Sequence, residues 1–538
     1  MRLESIQVPV KNQVLTDYWS KNTAIHSFFE YEYNHTSFQK RANYLKGNAK
    51  DQTVLASVIR QFMKPLGLSD KANEHIQQLQ EGAVAVVGGQ QAGVLTGPLY
   101  AIHKAITVIT LAKQQSEKLH MPVVPVFWIA GEDHDLEEIN HTFTVNNGEI
   151  KKRAYSERSK YKTMASTTVL NKEVMTEFID KVIMDFGETE HTKEIVMALQ
   201  GALTQSKTFT DFFARLMNQL FAHEGLLLID AADDKFRQFE SNYFAHIINN
   251  SEEIARLVTE QEQELEKAGY GLPIQATNEA ANLFYVKDGE RYLLERRQGL
   301  FVNLSANIKL TKEEIFDIAE NHPEQLSNNV VTRPLMQEMT FPVLAFVGGP
   351  GELAYWATLK NAFSVLGLQM PIFALRLNIT LVTRQVEQLL NEYDLTVQDV
   401  WYGKVERLKE QFISDVQDSK AKHQIEQLKQ VINESYAELE THLLEQTLHL
   451  NKVVGKNKEN HTKQLDYLQQ KIEQSVLQKH EATIRKFTTL QDELYPNGAY
   501  QERTFNPYQY MNDYGLSLIE DLAENSYTIS NSHYVVYL

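Results

Sequence analysis

The chain has 538 residues, too many for one hydrophobic core, and its 43% hydrophobic and 23% charged composition is that of a folded protein of two to four packed units. Lys plus Arg number 53 against 70 Asp plus Glu, and the net charge of −17 opposes phosphate backbones and anionic lipid, so neither nucleic acid nor a membrane is an expected partner. The absence of cysteine excludes disulfides, thiolate metal sites and a cysteine nucleophile; no apolar run approaches the ~20 residues of a membrane span, Met1–Val10 lacks a signal-like apolar stretch, and a cytoplasmic location is expected.

Five short apolar runs read as buried parallel strands: Val84–Gly88, Val123–Ile129, Leu226–Asp230, Val343–Val347 and Ile372–Leu375. Helix-spaced stretches separate them, which is the pattern of a doubly wound α/β sheet. After the first run, Thr96-Gly97-Pro98 supplies helix-start residues, and Leu99, Ile102, Ile106 and Ile109 form one apolar stripe. The gaps between runs two and three and between three and four are roughly 90 to 110 residues, too long for simple crossovers, so each holds an inserted subdomain. The first, about 142–222, ends in a helix carrying Phe209, Phe212, Phe213, Leu216 and Leu220; the second, about 235–326, holds a hairpin of Asn282–Val286 and Arg291–Leu294 turned by Asp288-Gly289. From about 388 to 492 the chain is rich in Gln, Glu, Lys and Leu. Ile425, Leu428 and Ile432, then Leu465, Leu468 and Ile472, show heptad spacing for about one to two heptads, which predicts an antiparallel helical hairpin reversing near Gly455. Its exposed seam suits either a homodimer or packing within the chain.

In a doubly wound sheet, ligands bind beyond the carboxyl ends of the strands. After strand one, Gly88-Gly89-Gln90-Gln91 and Thr96-Gly97 precede a helix start that favours an anion, and Lys104, roughly 9 Å along that helix, leans back toward it. His103 on the same helix is either a core-flanking histidine or a ligand contact; the glycine loop is either a ligand cradle or a structural turn. After strand two, Trp128 is followed by Glu132-Asp133-His134-Asp135, a density of titratable groups suited to amine recognition or acid–base work. A helix cap formed by Asp133 or Asp135 is the competing reading. No metal site is assigned, although His134 beside these acids is the nearest approach to one. After strand four, Gly348-Gly349-Pro350 leads to Glu352, Tyr355 and Trp356, while upstream Asn329 and Arg333 offer polar groups, Arg333 as a carboxylate clamp or as a structural ion-pair residue. Finally Asn497, Gly498, Tyr500, Gln501, Glu502 and Arg503 close the helical hairpin. They form either a nucleotide pocket, with Arg503 on a phosphate and Tyr500 on a base, or a turn with Glu502 in a buried ion pair.

Taken together, these segments resemble the cysteine-adding enzyme family of bacillithiol synthesis over essentially the whole chain. The resemblance is carried by Gly89-Gln90-Gln91, Gly97-Pro98-Leu99-Tyr100 with Lys104, Trp128 with Glu132-Asp133-His134-Asp135, Asn329-Val330 with Arg333-Pro334, Gly348-Gly349-Pro350 with Glu352 and Tyr355-Trp356, and Gln501-Glu502-Arg503. Asn328 departs from it, proline being the more usual residue there. The resemblance implies a Rossmann-like core in pieces at 1–141, 223–234 and 327–387, connective-peptide insertions at 142–222 and 235–326, a coiled-coil hairpin at 388–495, and a segment at 496–538 that returns to the core. This plan is similar to that of class I aminoacyl-tRNA synthetases, although neither the His-Ile-Gly-His nor the Lys-Met-Ser-Lys-Ser signature occurs. It implies a ligase that joins the carboxyl of cysteine to the amine of glucosaminyl malate, with ATP as co-substrate and ADP or AMP as product. In that reading Asp133, His134, His103 and Lys104 are catalytic, and Gln90, Gln91, Thr96, Gly97, Trp128, Asn329, Arg333, Glu352 and Tyr355 bind substrate. An enzyme adenylating another small acid, and a non-catalytic coiled-coil scaffold with a vestigial site, are the alternatives.

Overall fold

The computed structural model describes residues 1–8, 12–20, 22–146, 148–156 and 163–538; parts of the first insertion and the end of the Met1–Val10 stretch lie outside the described residues. The chain forms two compact units, one of Met1–Asn146, Ile150–Leu381 and Gln501–Leu538, the other of Asn147–Glu149 and Val382–Tyr500.

In the first unit all five apolar runs are strands: β1 (Val84–Gln90), β2 (Val123–Ile129), β3 (Leu227–Asp230), β4 (Val343–Gly348) and β5 (Ile372–Leu375). They form one parallel sheet in the order β5-β4-β1-β2-β3. Every residue of β2 through β5 is buried, which is why the runs are continuously apolar rather than alternating. Winding reverses between β1 and β4, and that reversal opens a crevice at their carboxyl ends. The helix α1 (Leu99–Leu119) packs across β1 and β2, and it buries more than the expected stripe: His103, Lys104, Thr107 and Val108 are enclosed as well as Leu99, Ile102, Ile106 and Ile109.

Between β2 and β3 lie the strands His141–Asn146 and Glu149–Ala154 and the helices Lys172–Phe186, Thr192–Gln205 and Phe209–Phe221. Thr208 and Asp211 close a reciprocal cap on the last of these. Between β3 and β4, the long helix α2 (Asp234–Lys267) leads into an antiparallel sheet in the order Ile308–Leu310, Leu300–Asn303, Glu290–Arg297, Ala280–Lys287, Leu326–Asn328. Asp288 and Gly289 turn the expected hairpin with φ of 52° and 81°, as a type I′ turn requires. The helix α3 (Thr332–Thr340) then leads to β4. The two ends of the chain meet, Arg2–Gln7 pairing antiparallel with Ser532–Tyr537, a contact between segments too distant in sequence to be read locally.

The second unit is helical, and its longest members are α4 (Ser419–Glu445) and α5 (Asn451–Lys479). They are joined by an ion pair from Lys429 to Asp466 (2.9 Å) and a hydrogen bond between Tyr436 and His461 (2.8 Å). The reversal falls between Glu445 and Asn451 rather than at Gly455, which lies inside α5 with open space where a Cβ would stand. Thr447 takes the left-handed conformation (φ 58°) that the turn needs, so no glycine is required there.

One buried carboxylate fixes the second insertion to the core. Glu132, just past β2, accepts bonds at Oε2 from Arg237 of α2, from the Ser327 hydroxyl (2.8 Å) and from the Asn328 N–H (3.1 Å), and at Oε1 from Nε of Arg333 in α3 (2.9 Å). A proline at 328 would lack that N–H, so the departure at Asn328 adds a bond here. Burial opposes the charge of Glu132, but Arg237, Arg333 and Arg291 outweigh it and hold the carboxyl down to about 2.

Two variants test this framework. A Cβ on Gly89 would lie 2.5 Å from the Trp128 carbonyl oxygen on the neighbouring strand, so G89A is expected to cost about 1–3 kcal/mol in urea unfolding, and parental stability would exclude that contact as a constraint. E132Q leaves buried guanidinium groups uncompensated and is expected to cost about 3–5 kcal/mol. Because the pKa of Glu132 is depressed on folding, its contribution is complete above the ordinary 4.5 and lost as pH falls toward about 2; the stability gap between parent and E132Q should narrow across that window, and a constant gap would contradict the assignment.

Candidate functional site

The crevice between β1 and β4 is stitched shut at its floor by an ion pair. Lys104 of α1 is buried, and its Nζ donates to the Gly89 carbonyl (2.7 Å), to Gln90 Oε1 (3.2 Å) and to Glu352 Oε2 (2.8 Å). The same Glu352 oxygen accepts the Gly349 N–H (2.7 Å), capping the short helix Pro350–Trp356. The anion that Lys104 meets is thus a side chain of the protein itself, and burial pulls the Lys104 pKa down against the pull of Glu352.

Above this pair lies a cavity of about 290 Å³, and seven of the residues anticipated from sequence line it: Gln90, Gln91, Trp128, Asp133, Arg333, Glu352 and Tyr355. Gln337, from α3, lines it too. Arg333 donates through Nη2 to Asp133 Oδ1 (2.8 Å) as well as through Nε to Glu132, while its Nη1 makes no hydrogen bond among the described residues. Asp133 Oδ1 receives a second guanidinium, that of Arg291 (3.3 Å), and the side chain stays 24% exposed, enough to meet a ligand. Burial lowers the Arg333 pKa, but Asp133 and Glu132 more than reverse this and keep the guanidinium firmly charged; burial drives the Tyr355 phenol far above its ordinary range. The cavity therefore presents both signs of charge side by side, with hydrogen-bonding capacity left over on each.

Other anticipated residues lie elsewhere. His134 sits edge-on to the Phe284 ring, with Nδ1 3.3 Å from Arg291 Nη1. Asp135 stands at the start of the short helix Leu136–Ile139 without a side-chain cap bond. Thr96 and Gly97 line a separate, much smaller cavity with Gln90, Gln91, Tyr100 and His141. Leu95 and Thr96 both have positive φ there (50° and 68°), the loop is pinned by Asn506 Nδ2 donating to the carbonyls of Leu95 (2.6 Å) and Gly97 (2.9 Å), and the buried Thr96 hydroxyl finds no partner among the described residues. Asn329 accepts from the N–H groups of Val331 and Thr332 and so shapes the entry to α3.

His103 and Glu502 are enclosed together. His103 Nδ1 lies 3.0 Å from Glu502 Oε2, and Arg376 donates twice to the same carboxylate (3.0 and 2.6 Å). Burial opposes the Glu502 charge, yet Arg376 and His103 hold it well below the usual carboxylate range, while burial lowers His103. Gln501 bonds both the N–H and the carbonyl of Leu381, and Arg503 is exposed. Of the nucleotide-pocket candidates, Gln501 and Glu502 thus point into the fold; Asn497, Gly498 and Tyr500 belong to the second unit, where Tyr500 meets the Trp401 ring edge-on. A larger open cleft of about 930 Å³ is lined by Glu30, Tyr31, His35 and Gln369, but Gln369 precedes β5, which puts this cleft at the amino ends of the strands, away from the crevice. Arg291, Arg237 and Arg376 had no local signal: each is recognisable only by the acid that it meets far along the chain. Among the described residues no cluster of three His, Asp or Glu side chains has metal-binding geometry, and no helix is long and apolar enough to cross a membrane.

Comparison with known proteins agrees with this architecture. Residues 1–377 match the family described as bacillithiol biosynthesis BshC, N-terminal Rossmann-like domain, and residues 379–538 match bacillithiol biosynthesis BshC, C-terminal coiled-coil domain. The chain is 67% identical over 538 residues to a Lysinibacillus sphaericus protein named "Putative cysteine ligase BshC", with both chains covered in full. Proteins of the same name from Geobacillus kaustophilus and from Bacillus cereus are 38% identical over 542 residues and 36% identical over 539, again covering both chains in full. With its Rossmann-like sheet, its helical second unit and relatives named as ligases along its entire length, the chain belongs to the bacillithiol biosynthesis BshC family of enzymes.

Proposed function

We propose that this protein is a cytoplasmic ligase that joins the carboxyl of cysteine to the amine of glucosaminyl malate at the cavity between β1 and β4, with ATP activating the carboxyl. The observation that carries this reading is that the Arg333–Asp133 ion pair and Glu352 line one cavity: a guanidinium with an unused donor and two carboxylates suit substrates that bring a carboxylate and two ammonium groups. In this reading Arg333 Nη1 takes the cysteine carboxylate and Glu352 the cysteine ammonium, while Asp133 takes the ammonium of the second substrate. A cysteine carboxylate oxygen attacks a phosphorus of ATP and displaces ADP or pyrophosphate. The bound ammonium gives one proton to Asp133, the freed amine nitrogen attacks the acyl carbon, and the phosphate-bearing oxygen leaves as phosphate or AMP with the nitrogen's second proton.

The test is turnover of the full chain with cysteine, glucosaminyl malate and ATP, read as amide product and as AMP or ADP. D133N is expected to lower turnover by about 10²–10⁴-fold with its thermal melt close to the parent. Retained activity in D133N would remove Asp133 from the chemistry, and product formed without nucleotide consumption would remove ATP.

We further propose a homodimer through the second unit, since Leu428 and Leu468 are 50% and 46% exposed on α4 and α5, on faces that also carry Ile432, Leu465 and Ile472. Sedimentation should give a dimer for the parent and a folded monomer for a variant with Leu465→Glu and Leu468→Glu. A parental monomer, or a variant that still dimerises, would count against this seam.

A further inference from the structure

Arg291 lies on the strand Glu290–Arg297 of the second insertion, directly after the Asp288-Gly289 turn, and it spends every nitrogen of its guanidinium. Nε donates to the Ser327 hydroxyl (2.9 Å), which in turn donates to Glu132. Nη2 donates to the Asn328 carbonyl (2.8 Å). Nη1 lies 3.3 Å from both Asp133 Oδ1 and His134 Nδ1. The guanidinium carbon stands 3.9 Å from the centroid of the Phe284 ring, the same ring that His134 meets edge-on. A buried group held on four acceptors and one aromatic face has a single orientation.

A guanidinium only donates. His134 Nδ1 must therefore be the acceptor in its contact with Arg291, which requires a bare lone pair on that nitrogen. In a neutral imidazole the proton then resides on Nε2. The same Nη1 ties down one oxygen of Asp133, so the carboxylate that lines the cavity and the imidazole next to it in sequence share one anchor.

We infer that Arg291 is a positioning residue: it sets His134 in the Nε2–H tautomer and fixes the Asp133 carboxylate at the cavity wall. The inference rests on the cavity reading proposed above. It makes His134 a group that carries its proton on Nε2 and is blocked at Nδ1, so acceptance of the amine's proton falls to Asp133 rather than to the imidazole. It also gives the second insertion a part in the site, through one side chain reaching from the hairpin to the end of β2. Lysine, a single ammonium without the planar fork, cannot serve these acceptors together.

Long-range hydrogen–nitrogen NMR on the full chain labelled with nitrogen-15 histidine tests the tautomer directly, the His134 signal being the one lost in H134N. The expected result is an unprotonated Nδ1 and a protonated Nε2 in the parent, and loss of that fixed tautomer in R291K. A protonated Nδ1 in the parent, or an unchanged tautomer in R291K, overturns the inference whatever the activity. In turnover, R291K is expected to fall about 10–100-fold, in line with a misplaced reacting group, and to add little to the loss already present in D133N. Full additivity of R291K and D133N would overturn action through Asp133, because a merely structural arginine would lower both backgrounds equally. A lost tautomer with undiminished turnover would leave the positioning role standing and count instead against the cavity as the reacting site.

Discussion

A carboxylate with no access to water, Glu132, sets the geometry of everything around the crevice. Its charge survives burial only because guanidinium groups from α2 and α3 and polar groups from Ser327 and Asn328 converge on its two oxygens. These partners come from three places in the chain, so satisfying one charge fixes the helix after β3, the last strand of the second insertion and the helix before β4 against the end of β2. A hydrophobic contact among the same elements would tolerate sliding. A buried ion cluster does not, since each lost bond exposes an uncompensated charge to a low dielectric.

The same device recurs twice. Lys104 with Glu352 locks the loops after β1 and β4 together, and Arg376 with Glu502 and His103 locks the returning C-terminal segment onto α1. All three knots are built from residues that look like active-site chemistry in the sequence. What separates scaffold from site is unspent bonding capacity. Glu132 and Glu502 are surrounded and enclosed, whereas Asp133 and Arg333 pair with each other and still reach the cavity.

The strands were legible because a parallel sheet covered on both faces leaves no polar alternation, and the Asp288-Gly289 hairpin because only a few residue pairs accept two positive φ values. The cluster at 132–135 was legible as a concentration of titratable groups but not as roles. As the chain leaves β2, Glu132 turns into the fold, Asp133 faces the cavity and His134 meets Phe284, and the arginines that decide these directions lie 105 to 201 residues away. In the sequence Lys104 points to a ligand because nothing in its own helix names Glu352 as its partner, 248 residues on. The helical reversal was misplaced for the opposite reason: glycine is the usual mark of a left-handed turn, and here Thr447 adopts it instead.

These partnerships also bear on what the cavity recognises. Lys104 is matched by Glu352 and Arg333 by Asp133, so the charges around the cavity cancel in pairs rather than building a field of one sign. A site that concentrates a polyanion by electrostatics needs surplus positive charge, as at an arginine cluster or a bare helix terminus. Here the N–H of Leu99 at the start of α1 is already taken by the Phe505 carbonyl at 2.8 Å. A balanced wall instead rewards a ligand that carries both signs at fixed spacing, because each end gains a charge-assisted bond while the net charge in the cavity stays unchanged on binding. That is the electrostatic description of an amino acid. It accounts for the carboxylates and the guanidinium standing side by side at the point where the sheet reverses its winding.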